Sequence, residues 1–177
     1  MTTSPRSRLH TTVAALRAAL AKSPDLYGRL LGGTLDEKTA GVAEADGVPG
    51  EFLAFCRVLN GADCAPSVRL FGLEEAREHQ YYCRPIDGSP LPLSPDTLFC
   101  IGLLDDTPLY LDRATGAVLG IPDQHREWFD ADHFHQRAPG TTEFFLDHLA
   151  SPSYRPLALP GDDWLELLCR AGVVEVS

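Results

Sequence analysis

The densest run of side chains able to do chemistry is "DQHREWFDADHFH", residues 123 to 135, with Asp123, His125, Asp130, Asp132, His133 and His135. Residues two apart in an extended segment share a face, so His133 and His135 project together there. A His-x-His pair beside a carboxylate is one way to hold zinc. A third ligand at a recognised spacing is missing, as is the helical HExxH arrangement of a zinc hydrolase. The same run sets Trp128, Phe129 and Phe134 among acids, the composition of an interface hot spot ringed by charge. Asp123, Glu127, Trp128, Phe129, Asp130 and Asp132 are therefore the candidate partner-binding residues, with no metal and no cofactor expected.

Two other places invite a catalytic reading. His79 and Cys83 are four apart, but no orienting acid or oxyanion donor comes with them, so they read as a helix face. Asp105-Asp106 follows a strand and precedes Thr107-Pro108, which reads as a turn; paired carboxylates for glycoside chemistry need a second, distant partner. The chain has no P-loop, GxGxxG or GxSxG motif. No catalytic residue is expected.

The elements around these residues are legible from their periodicity. In "VPGEFLAFCRVLNG" (48 to 61), Phe52, Phe55, Cys56 and Leu59 fall at i, i+3, i+4 and i+7, a stripe facing a core. Asn60-Gly61 then supplies a left-handed helix exit. "LYLDRATGAVLGI" (109 to 121) reads as two strands joined by a turn, with Gly116 at positive φ and Asp112 accepting from the turn's own amides. Further strands are expected at "SVRLFGL" and "DTLFCIGLL", and a short exposed helix or turn at "LEEAREHQYY".

Two N-terminal helices are expected, from about Arg6 to Lys22 and from Pro24 onward, with a weaker helical piece near residues 36 to 45. "TTEFFLDHLAS" is expected as a helix capped by Thr141, with Phe145 and Leu149 inward. A final helix runs through Trp164, Leu165 and Leu168, and "VVEV" reads as a possible edge strand. Helices, then strands, then helices is the order of an α+β fold.

Composition excludes several classes. The formal charge is -10, and residues 1 to 30 hold +4 of it, leaving -14 for the other 147. An acidic surface argues against sequence-independent binding of nucleic acid and suits a basic partner. Arg17 interrupts what would be the apolar core of a signal peptide, and no run is long enough to span a membrane, so a cytoplasmic location is expected. Five cysteines form no CxxC pair, and Cys56 and Cys100 sit among apolar residues, where a free thiol packs as a small hydrophobe.

Four segments together resemble the SUKH superfamily, which includes fungal cell-wall-synthesis regulators and bacterial toxin-immunity proteins. They are "VPGEFLAFCRVLNG" (48 to 61), "RLFGLEEA" (69 to 76), "LFCIGLLDDTPLYLDRATGAVLGI" (98 to 121) and "TTEFFLDHL" (141 to 149). The match spans about 100 residues, in order. Val48 stands where the pattern has leucine, "NGG" is reduced to Asn60-Gly61, and the first 35 and last 25 residues lie outside it.

The resemblance implies an α+β fold with a mixed, mainly antiparallel sheet flanked by N-terminal and C-terminal helices. It divides the single expected domain into a helical extension (1 to 35), a family core (36 to 150) and a helical tail (151 to 177). Asn60, Gly61, Asp112 and Gly116 match its structural motif. It also implies a non-enzymatic immunity protein that covers a surface of a toxin, here a basic toxin domain. The alternatives are a regulatory or scaffold module with an endogenous partner, and a metal-dependent enzyme using loop 123–135.

Overall fold

A computed structural model describes residues 4–30, 46–65, 68–122 and 127–175. The helical piece expected near residues 36 to 45 lies outside them, as do Asp123 and His125. The fold is α+β: a six-stranded antiparallel sheet with helices packed against it. The strands are β1 (Ala62–Ala65), β2 (Val68–Leu70), β3 (Leu98–Leu104), β4 (Thr107–Asp112), β5 (Val118–Gly120) and β6 (His135–Ala138), in that spatial order. Each described strand pairs antiparallel with its sequence neighbours, so the sheet is a simple meander.

The helices are α1 (Pro5–Ala21), α2 (Pro24–Arg29), α3 (Gly50–Cys56), α4 (Leu73–Glu78), α5 (Thr141–Phe144) and α6 (Asp163–Arg170). The stripe read from α3 is buried: Phe52, Phe55, Cys56 and Leu59 are at most 1% exposed. Phe52 meets Phe99 of β3, and Phe55 meets Phe145, with ring centroids 5.5 and 5.8 Å apart. Leu9, Val13 and Leu16 of α1 and Trp164, Leu167 and Leu168 of α6 join the same core.

The opposite face of the central strands is covered by a smaller layer. Cys100 and Tyr110 are register partners, and they face away from the Phe99–Leu111 side. Tyr110 donates its hydroxyl to the Tyr82 carbonyl at 2.9 Å and meets the Phe134 ring edge-on. β3 has an irregularity between Cys100 and Gly102, and there the Gln80 side chain bonds both the N–H and the carbonyl of Cys100. A buried strand irregularity needs such a partner for its main-chain groups.

Several local expectations change. β1 was not expected, because "ADCA" is short and has no branched or aromatic residue; its pairing with β2 makes it a strand. α4 is not merely exposed, since Leu73 and Ala76 are buried against the sheet. The cap of α5 is Gly140 and not Thr141, and the helix passes into a π turn over Phe145–Leu149. "VVEV" forms no strand over its described part: the Val173 and Val174 N–H groups both bond the Leu168 carbonyl and close α6.

Candidate partner-binding surface

The DRATG turn is structural, as its residues suggested. Asp112 Oδ1 accepts the amides of Ala114 and Thr115 at 2.8 and 3.0 Å, and Gly116 has φ +78°. Arg113 donates to the carbonyls of Pro95, Leu98 and Gly47, and its guanidinium lies over Phe99. α3 ends at Cys56, so Asn60 and Gly61 lie beyond its exit instead of forming it. Gly61 has φ +98°, and Asn60 Oδ1 accepts the Leu73 N–H at 2.8 Å, capping α4.

Of the candidate contact residues, Trp128, Phe129 and Asp130 form a short 3-10 turn, Trp128–Asp130, that follows Glu127. Ser89 donates to the Phe129 carbonyl at 2.6 Å and pins this turn to the loop before β3. Trp128 is half-buried and meets Tyr82 edge-on at 6.0 Å, while Phe129 meets Trp128 at 5.7 Å. Glu127, Asp130 and Asp132 are exposed. The aromatic rings therefore anchor the turn while its acids face solvent.

The aromatic surface is wider than the sequence indicated. Tyr81 and Tyr82, on the 3-10 turn after α4, have ring centroids 4.5 Å apart, and His79 stacks beyond them on Phe71 at 4.6 Å. Tyr81 is 51% exposed. Its hydrogen bond with Tyr82, followed by burial, pushes the Tyr82 phenol up to about 12, so Tyr82 stays neutral at ordinary pH. The adjacent "YY" was the available signal, obscured by the exposed-helix reading of its segment.

Asp105 and Asp106 also belong to this face. They form the two-residue β3–β4 turn with φ +49° and +60°, where Asn-Gly is the favoured pair. Together with Pro108, Glu127, Trp128 and Arg137 they line an open cleft of about 370 Å³. Arg137 donates to the Ile121 carbonyl at 2.8 Å and crosses over Gly120, whose missing Cβ leaves room for the guanidinium stem. Three exposed carboxylates and one indole edge thus surround a concave surface.

Other candidate chemistry does not assemble. His79 Nδ1 faces the Glu75 carbonyl, while Cys83 Sγ is directed at Gln80 Oε1. Burial pushes the Cys83 thiol up to about 11, leaving it a poor nucleophile. Among the described residues, no group of three or more His, Cys, Asp or Glu side chains converges as a metal site. None of the described helices is long and apolar enough to cross a membrane.

A second hollow, of about 620 Å³, lies between α2, β1–β2 and the segment 159–164. Its charges are paired at its rim: Arg29 with Asp163 at 2.8 Å and Arg69 with Asp63 at 3.0 Å. The chain matches no family model, and comparison with curated proteins and with solved structures gives no match either.

Proposed function

We propose that the chain works by binding a protein, as a non-enzymatic immunity protein of the SUKH kind acting in the cytoplasm on a basic toxin domain. The observation that carries this reading is the aromatic run Tyr81–Tyr82–Trp128–Phe129, with Tyr81 exposed and the other three rings half-buried, bordered by Asp105, Asp106, Glu127 and Asp130. Aromatic groups anchored by packing give contact area at low entropic cost, and a rim of acids steers a basic surface into register. The overall acidic balance acts in the same direction.

Co-expression provides the test. A toxin domain encoded next to this chain should arrest growth alone, be tolerated with the wild-type chain, and co-purify with it. Tyr81→Ala combined with Trp128→Ala should lose both protection and co-purification while keeping the folded far-UV signal. A neighbouring gene product that neither arrests growth nor co-purifies would count against the immunity role and favour an endogenous partner.

A further inference from the structure

His133 and His135 flank Phe134 and are held by three separate contacts. The Phe134 ring packs edge-on against buried Tyr110, centroids 5.4 Å apart, which turns both imidazoles outward. His135 begins β6 and is the register partner of Gly120. Asp132 Oδ1 is hydrogen-bonded to His133 Nδ1. The outcome is that the Nε2 atoms of the two rings face each other at 3.1 Å.

We propose that His133 and His135 chelate a divalent transition metal of the copper, nickel and zinc class. In the neutral tautomer whose Nδ1–H donates to Asp132, the His133 Nε2 carries a lone pair. This carboxylate–histidine pairing is the arrangement that orients metal-bound imidazoles and strengthens them as ligands. With that tautomer, the 3.1 Å contact is satisfied when His135 Nε2–H donates to the lone pair. Transfer of the His135 proton to its own Nδ1, through solvent, turns a second lone pair toward the gap without changing the charge of either ring.

The spacing suits a cation. An ion about 2.0 to 2.1 Å from each nitrogen sees them at an angle of about 98°, between the square and tetrahedral values. The two imidazoles fill part of the coordination shell, and water or a donor from another molecule fills the remainder. Copper should bind tightest, following the usual order for nitrogen ligands. This site is independent of the protein-binding reading.

Calorimetric titration of the full chain with Zn²⁺, and separately with Ni²⁺, tests the chelate at neutral pH. One saturable site is expected in the wild type and in His10→Gln, an exposed histidine elsewhere. His133→Gln and His135→Gln should each abolish it, and Asp132→Asn should weaken it by about tenfold or more. All three groups are exposed, so melting curves without metal should match the wild type. Absence of saturable binding, or binding that survives either histidine substitution, would overturn the proposal.

Discussion

Glu51 of α3 accepts two hydrogen bonds from Thr141 at the start of α5, the N–H at 2.9 Å and the hydroxyl at 2.7 Å. The helix cap itself is Gly140, which has no side chain, so a carboxylate from another helix satisfies the free N–H groups. The pair ties the segment before the sheet to the one after it. It also explains why Thr141, a polar residue, is fully buried.

Burial pushes the Glu51 carboxyl above its ordinary value of 4.5, although the Thr141 bonds pull the other way. A carboxyl raised on folding holds its proton more firmly in the native state. Its contribution to stability is therefore full below the unfolded value and is lost as pH rises through the folded one. Denaturant unfolding of Glu51→Gln should show this as a slope. The stability difference should move in favour of the variant as pH rises through the window just above 4.5, and a flat difference would reject the assignment.

Asn60 acts across 13 residues by capping α4, whose own cap position is Gly72. Asn60→Ala should cost about 1 kcal/mol, the usual loss for a capping side chain. Asn60→Asp keeps the acceptor and should cost less. Urea unfolding of both variants reads the order; equal losses would mean that the side-chain oxygen contributes nothing.

Phe55 lies against Phe145 inside the core, so Phe55→Ala should cost about 3 to 5 kcal/mol through lost burial and an unfilled cavity. Equilibrium denaturation showing a loss below about 1 kcal/mol would contradict the packing.

Asp105 and Asp106 hold left-handed backbone conformations that glycine or asparagine adopts more readily. Replacing them with Asn-Gly should stabilise the β3–β4 turn by up to about 1 kcal/mol. On the proposed function it should also slow partner association, because two carboxylates leave the cleft. Greater stability with unchanged association would remove the turn from the contact surface.

The parts legible in sequence were those set by a local period or a local turn. The α3 stripe and the Asp112–Gly116 turn needed no knowledge of distant neighbours. β1 was illegible because its strand character comes from pairing with β2, and the four residues of "ADCA" include none that is branched or aromatic. Asn60 was read as a helix end because its acceptor role depends on Leu73, which only the fold brings near. At the candidate surface, Trp128 and Phe129 stood out by composition. Asp105 and Asp106 stood out only as a turn, since the meander is what carries the β3–β4 turn beside Glu127 and Trp128, and Tyr81 was hidden in a segment read as an exposed helix.

The charges and the rings of this surface should be separable in kinetics. Glu127, Asp130 and Asp132 are exposed, so on the proposed function their effect on a basic partner is long-ranged and screened within about 8 to 10 Å at physiological salt. Reversing Asp130 and Asp132 to lysine should mainly lower the association rate, and the loss should shrink as salt rises. Trp128 contributes differently, through a ring braced on Tyr82 and Phe129 that presents a fixed edge to the cleft. Trp128→Ala should raise the dissociation rate and leave the salt slope of association intact. On the proposed function, surface-plasmon measurements across a salt series with a candidate toxin domain read both. Salt-independent association in the wild type, or wild-type kinetics in both variants, would move the interface away from the acid-ringed aromatics.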